Sequence, residues 1–522
     1  MIKVGALMIL VVLVSSCRKK SEYPDAKVPY IVETIETPPG LHAETGAIAF
    51  LPDGRLVACF LRGEVMIYNP ETKEWKLFAE GLHEPLGVLP VSESEILVMQ
   101  KPELTRLKDT DGDGQADLYE TVTDDFGMAG NYHEWTYGPV KDRDGNLFIS
   151  FNTASEWGTI MDEKRGKFDT TLVPFKPKQK FAAVPYRGWV AKLTPSGEFI
   201  PYAYGFRSPS GLLITPDNEL FVADNQGDWV GTSPLFKVEQ NKFYGHPASM
   251  IWLPGWNKGD PSRLPVEELN AERQRAVVQF PYGIMAASPT QPIFDNTDGA
   301  FGPFAGQILI GEMNQERIIR VMLEEVDGVW QGACIPFIDK QGLRKGNNRL
   351  AFAPDGSLYV GQVQHGFIGD TGIQRIVFTG KDPVDIHSMN ITDEGFDLHF
   401  TQPMDEATLR DTSNYHFRHY YYEYHLKYGS DQFDMQKVPV KDIEVSADRK
   451  TVSLKLENLK PGYIYELTLS ELKSEEGELL ENRLVCYTVN VLQSGRSSSQ
   501  VPSHPGTQAP INPATQRPPL AY

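Results

Sequence analysis

Leu350-Ala-Phe-Ala-Pro-Asp-Gly-Ser-Leu-Tyr-Val360 is an apolar strand, a Pro/Asp/Gly turn and a second apolar strand. Proline sets φ at the turn entry, aspartate bonds its own backbone, and glycine accepts positive φ where the chain reverses, so the phrase is a tight hairpin. It recurs as Ile48-Ala-Phe-Leu-Pro-Asp-Gly-Arg-Leu-Val57, Gly138-Pro-Val-Lys-Asp-Arg-Asp-Gly-Asn-Leu-Phe-Ile149 and Gly211-Leu-Leu-Ile-Thr-Pro-Asp-Asn-Glu-Leu-Phe-Val222. Two weaker copies, Pro85 to Met99 and Phe301 to Ile310, keep the strand and lose the turn. A unit of short strands repeated every few tens of residues cannot bury a face alone, so neighbouring units must stack about an axis. Six copies predict an all-β chain with a six-bladed β-propeller over residues 44–380.

Beyond Lys381-Asp382-Pro383 the phrase stops, and residues 384–492 alternate as strands, among them Thr451-Val-Ser-Leu-Lys-Leu456 and Tyr463-Ile-Tyr-Glu-Leu-Thr-Leu469. Alternation over short runs bounded by turn residues predicts a small antiparallel sandwich. Its phrases Phe400-Thr-Gln-Pro-Met-Asp405 and Leu459-Lys-Pro-Gly-Tyr-Ile-Tyr465 resemble bacterial immunoglobulin-like (Ig-like) modules, which implies a spacing or docking role. The tail, 493–522, is too rich in Ser, Pro, Gln and Thr to fold and is expected to be disordered.

Residues 1–16 read as a lipoprotein signal peptide: Lys3, an apolar run from Val4 to Val14, then Val14-Ser15-Ser16-Cys17, which resembles the bacterial lipobox. The run is shorter than the ~20 residues a spanning helix needs. Cys17 would carry lipid and tether the chain through residues 17–43 to the bacterial cell envelope, facing periplasm or cell surface. The remaining cysteines, Cys59, Cys334 and Cys486, have neither CxxC nor haem-attachment spacing and read as buried apolar thiols. A formal charge of -19, from 50 basic and 69 acidic residues, argues against a nucleic-acid partner. A basic insert between Trp157 and Tyr186 reads as a solvated loop, or as a lip for an anionic partner.

Asp109-Thr-Asp111-Gly-Asp113-Gly-Gln115-Ala-Asp117-Leu-Tyr-Glu120 places acids at positions 1, 3, 5, 9 and 12 of a twelve-residue loop, with glycine at position 6. Ca²⁺ takes six to eight oxygens, and alternating acids about a glycine turn supply them. Asp109, Asp111, Asp113, Gln115, Asp117 and Glu120 are the expected ligands of a structural calcium clip, since the flanks lack the helices of a sensor.

Propellers bind ligands where inner strands and their loops converge. His133, Arg207, Asp224 to Asp228, Asn314, Arg317 and Arg349 flank the repeated phrases and are the candidates. Here the chain resembles the soluble PQQ-dependent glucose and aldose (sugar) dehydrogenases, a six-bladed family. The resemblance spans about residues 44–380. It rests on Asn131-Tyr-His133 with Tyr137-Gly-Pro139, Gly205-Phe-Arg207-Ser-Pro-Ser-Gly211-Leu, Asn225-Gln-Gly227-Asp228, and Asn241-Lys-Phe-Tyr-Gly-His-Pro247.

The resemblance implies that His133 is the catalytic base, that Arg207, Asn314 and Arg349 meet the quinone, and that Gly227 and Asp228 carbonyls hold its calcium. Four positions depart from the family pattern: Ser208 replaces Asn, Asp228 replaces Pro, Asn314 replaces Lys, and Arg349 stands at a shifted position in place of an arginine pair. The implied function is a lipid-anchored sugar dehydrogenase oxidising an aldose or glycoside hydroxyl, with PQQ and calcium as cofactors and an external c-type cytochrome as electron acceptor. The alternative is a non-catalytic, calcium-stabilised propeller whose aromatic mouth (Trp135, Trp157, Trp189, Trp229) holds a carbohydrate or a partner protein. A lactonase or lyase using the acids of Asp224 to Asp228 is a third reading.

Overall fold

A computed structural model describes residues 22–493, apart from 24, 156–159, 163, 170–178 and 365–367. The leader, Cys17, Trp157, Lys176-Pro177-Lys178 and the tail from 494 lie outside the described residues.

Six four-stranded antiparallel units form the ring. Blade one is Thr45–Phe50, Leu56–Phe60, Val65–Asn69 and Glu74–Ala79. Blade two is Gly87–Pro90, Glu95–Met99, Leu104–Lys108 and Leu118–Thr123. Blade three is Thr136–Lys141, Leu147–Phe151, Trp189–Leu193 and Phe199–Tyr204, and blade four is Gly211–Ile214, Leu220–Ala223, Ser233–Lys237 and Val278–Phe280. Blade five is Pro289–Phe294, Ile308–Glu312, Ile318–Val326 and Val329–Phe337. Blade six has Asn347–Phe352, Leu358–Gln362 and Gly372–Phe378. The first strand of each blade touches those of both neighbours, and the sixth meets the first, so the ring is closed.

Local chemistry accounts for each blade. The turn residues Gly54, Gly145, Asn218 and Gly356 adopt φ of 88°, 85°, 67° and 91°, the left-handed conformation that glycine and asparagine tolerate. Second strands such as Leu56–Phe60, Leu147–Phe151 and Leu358–Gln362 are buried at every residue, as expected of strands covered on both faces. Inner strands meet almost backbone to backbone: a Cβ on Gly87 would lie 1.4 Å from the Gly138 carbonyl oxygen.

The tether expected over residues 17–43 is corrected in part. Tyr30–Ile35 is the fourth strand of blade six, running in register from Tyr30 opposite Phe378 to Ile35 opposite Ile373. The physical reason is the open edge of the last blade, whose unpaired backbone groups this strand satisfies.

Propeller strands end at Phe378, and a two-sheet sandwich begins at Ile386. One sheet orders Ile386–Ile391, Gly395–Phe400, Thr451–Leu456 and Val440–Val445; the other orders Leu484–Val489, Tyr463–Leu469, Tyr415–Tyr422 and Gln432–Val438. Phe396, Phe417, Tyr465 and Tyr487 fill the space between them. Each such burial is worth roughly 1.5–3 kcal/mol.

The sandwich does not stand apart from the ring. Leu484–Val489 pairs with the outer strand of blade five at Gly332 to Thr488, Ala333 to Tyr487 and Cys334 to Cys486, making one eight-stranded sheet. Arg320 of blade five reinforces the junction: its buried guanidinium donates to Asp385 Oδ2 at 3.0 Å and to the Ile386 carbonyl at 2.7 Å.

Candidate functional site

Each inner hairpin turns at one end of the ring, so the segments before its first strand and after its second emerge at the other end. That topology gathers the 131–135, 205–210, 224–228 and 313–317 segments around one mouth. The acidic loop at 109–117 links the third and fourth strands of blade two and therefore lies on the opposite rim.

At the mouth, His133 follows Asn131, whose Oδ1 accepts the His133 and Ser155 N–H groups at 3.0 and 3.1 Å. Ser155 Oγ bonds His133 Nδ1. The ring sits among Tyr132 and Trp135, with centroids 5.0 and 5.2 Å away. Ser155 pairs with Lys180 in a short ladder, and the Lys180 N–H donates to Asp228 Oδ2 at 2.7 Å. A continuous run of contacts thus joins His133 to Asp228.

Asp228 is the hub. Arg207 Nε donates to its Oδ1 at 3.0 Å, and His246 Nε2 lies 3.2 Å from its Oδ2, all three side chains being buried. Because His246 Nδ1 accepts the Ala248 N–H, Nε2 carries the proton given to Asp228. Burial pushes the Asp228 carboxyl up, but His246, Arg207 and the Lys180 N–H together hold it below the ordinary range. Asp224, four residues earlier, goes the other way: burial raises it despite N–H groups from Arg207, Ser208 and Asn225. Asp224 clamps the backbone of the arginine turn, and Asp228 neutralises its side chain. Gly227 packs against that guanidinium so closely that a Cβ would lie 1.8 Å from Arg207 Nε.

The sandwich closes over this cluster. Its 423–431 segment, between Tyr415–Tyr422 and Gln432–Val438, places the Tyr428 ring over Arg207, 5.2 Å from guanidinium carbon to centroid. The Gly429 N–H donates to the Gly227 carbonyl at 2.9 Å, a carbonyl that also accepts the Val230 N–H at 3.1 Å. Trp229 donates its N–H to the His425 carbonyl, and Tyr424 its hydroxyl to the Gly245 carbonyl. Trp229 has φ of 62°, a conformation costing a bulky residue roughly 1–3 kcal/mol unless its surroundings impose it.

The other expected cofactor contacts lie apart. Arg349 is 4 % exposed and reaches into the channel, donating to the carbonyls of Leu86, Ser210 and Asn348 and lying over the Tyr137 ring. Burial lowers its guanidinium to about 10. The Asn314 N–H donates to Glu312 Oε1 at 3.0 Å, and burial raises that carboxyl to about 7. Arg317 donates to Asp339 at 3.0 Å.

A quinone with three carboxylates needs uncommitted cations. Arg207 is neutralised by Asp228, Arg349 is withdrawn into the channel, and position 314 is neutral. The Gly227 carbonyl already accepts two hydrogen bonds. The residues present therefore do not fit PQQ with its calcium.

Of the six expected calcium ligands, three acids converge among the described residues. Carboxylate oxygens of Asp109, Asp111 and Asp117 lie within 4.8 Å of one another. Asp113 Oδ1 accepts the Gln115 N–H at 2.8 Å, as the Asp109 carboxylate accepts the Gly112 and Gly114 N–H groups and Asp117 the Thr110 N–H. Glu120 stands opposite Arg106 in the strand ladder and pairs with it, because cross-strand partners share a face.

Sequence reasoning misses Tyr428 and Ser155, and it reaches His246 only as part of a longer phrase. The signal for the first is the aromatic run Tyr420-Tyr-Tyr-Glu-Tyr-His425 leading to Gly429, richer than one sandwich face can bury.

A family profile described as a domain of unknown function, DUF7133, matches residues 71–201. No curated protein matches the chain. Similar solved structures include a glucose dehydrogenase-type oxidoreductase of Thermus thermophilus, 19% identical, covering 67% of this chain and 100% of that one, with a TM-score of 0.45. The PQQ-bound aldose sugar dehydrogenase of Streptomyces coelicolor is 17% identical, covering 67% and 98%, with a TM-score of 0.42. The holo PQQ domain of Coprinopsis cinerea pyranose dehydrogenase is 11% identical, covering 67% and 95%, with a TM-score of 0.44.

Proposed function

We propose that this chain is a carbohydrate-recognising propeller of the sugar-dehydrogenase type, whose quinone position is filled by groups of its own. One observation carries the reading: Asp228 neutralises Arg207 beneath a loop that also occupies the Gly227 carbonyl. The mouth also carries His133, Tyr132, Trp135 and Tyr428. Aromatic faces and a hydrogen-bonding imidazole suit a sugar ring, which offers apolar C–H faces and peripheral hydroxyls. The test is calorimetric titration with mono- and oligosaccharides beside reconstitution with PQQ and Ca²⁺. Sugar binding without quinone uptake is expected; stoichiometric quinone binding with dye reduction by aldoses would replace this reading.

Oxidation of a sugar hydroxyl is the second reading, favoured by the Ser155 contact to His133 Nδ1, which orients the ring to take a proton. That reading requires a two-electron acceptor of the quinone class bound at the mouth to take the hydride, which an external c-type cytochrome would then reoxidise one electron at a time. Loss of dye-coupled turnover in His133→Ala, with sugar binding retained, would establish it.

Two further assignments complete the proposal. Asp109, Asp111 and Asp117 hold a calcium ion with structural effect only, since their rim is remote from the mouth. Cys17, within its lipobox-like phrase, anchors the chain in the bacterial envelope; labelled palmitate should enter the wild-type chain and not Cys17→Ser.

A further inference from the structure

We propose that Cys334 and Cys486 form a disulfide that ties blade five to the sandwich. The two are direct partners in the three-residue pairing that joins the sheets. Opposed residues of an antiparallel pair hold their Cα atoms roughly 4.5–5.5 Å apart, inside the range of about 4.4–6.8 Å that disulfides span. Their side chains leave the same face of the ladder and lie in one apolar cluster with Val321, Tyr420 and Ile464. Cys334 Sγ is 3.6 Å from the Cys486 carbonyl oxygen. Cys59 is buried in the core of blade one, in a different cluster, and does not compete.

The oxidant is an external disulfide such as oxidised glutathione. A cysteine thiolate attacks it, releasing one external thiol and leaving a mixed disulfide. The second cysteine thiolate then displaces the other external thiol. Two S–H bonds of the chain are replaced by one S–S bond, and the external disulfide is reduced to two thiols that take up the protons. Both sulfurs are buried in the finished fold, and burial keeps the Cys486 thiol protonated. Closure therefore accompanies formation of the seam during folding, and the finished reduced fold reacts slowly.

The tie bears on the mouth. Leu484–Val489 pairs with Tyr463–Leu469, which pairs with Tyr415–Tyr422, and from the last of these the 423–431 segment runs to Arg207. A cross-link at the seam fastens the base of that ladder to the ring.

The test refolds the full chain from denaturant in a mixed oxidised and reduced glutathione buffer, then maps peptides without reduction. One cross-linked peptide pair carrying residues 334 and 486 is expected, two hydrogen atoms lighter than its separate parts. The unfolding midpoint should lie several degrees above that of the chain refolded in reductant, and Cys334→Ala should abolish the difference. A chain that fails to refold is mapped directly after isolation from an oxidising secretory compartment. Full alkylation of both cysteines, or a cross-link between Cys59 and either of them, would overturn the proposal.

Discussion

The Tyr428 ring covers the Arg207 guanidinium at 5.2 Å, so a side chain of the sandwich forms part of the propeller mouth. Tyr428 is 51 % exposed, and its outer face remains open to a ligand. A cation–π contact of this kind is worth about 0.5–2 kcal/mol. Tyr428→Ala should weaken saccharide binding about two- to tenfold while lowering the melting temperature only by the loss of this one contact, since the ring is not core. Titration calorimetry beside thermal unfolding separates the two effects, and wild-type affinity in the variant would remove Tyr428 from the binding surface.

Asp228→Asn should be among the most damaging single changes at the mouth. It leaves the buried Arg207 charge without its carboxylate, which costs roughly 3–5 kcal/mol. The pH dependence follows from the depressed native carboxyl. The ionised Asp228 contributes stability at every pH above the unfolded value near ~3.9, and that contribution is lost as pH falls from there towards the lower folded value. Denaturant unfolding at neutral pH should show the loss, and the variant should lack the Asp228 part of the acid-side decline. Wild-type stability in Asp228→Asn would mean that Arg207 has another counter-charge.

His419 in the sandwich carries a second pH signature. Burial lowers its imidazole from 6.5 to about 4, with Lys460 adding to the effect, so the folded state holds it neutral. The associated stability is complete above about pH 6.5 and is lost as pH falls from there to about 4. Thermal unfolding followed between those values should show a falling midpoint that His419→Gln flattens. An equal slope in both chains would refute the assignment.

Calcium should act on blade two and leave the mouth alone. Two exposed carboxylates and the half-buried one of Asp109 would hold calcium weakly, so millimolar Ca²⁺ should raise the melting temperature by a few degrees, chelator should reverse the gain, and Asp111→Asn should abolish it. Saccharide affinity should not change with calcium. A melting temperature indifferent to both Ca²⁺ and chelator would leave this loop an acidic turn.

How far the site is legible without the fold differs from residue to residue. The hairpin phrases declare themselves because turn chemistry and strand alternation are local: Gly54 and Gly356 need positive φ whatever surrounds them. His133, Arg207, Gly227 and Asp228 stand out by their positions beside those hairpins, and the ring brings them together. Arg349 stands out by the same rule, yet its side chain fills the channel, because the carbonyls of Leu86 and Ser210 face it there. Glu120 fits the spacing of a ligand, and the strand ladder sets it opposite Arg106, with which it pairs, a partner that loop spacing does not reveal.

The sequence alone determined the architecture, the hairpin ends that face the mouth and the acidic loop, since each depends on residues within a dozen positions of one another. Only the tertiary structure decided that Tyr30–Ile35 closes the last blade, that Arg207 spends its charge on Asp228, and that a loop near residue 428 covers them both. Such pairings join distant segments through backbone edges and buried charges. Their partners are chosen by the geometry of the closed ring, which no local pattern of residues contains.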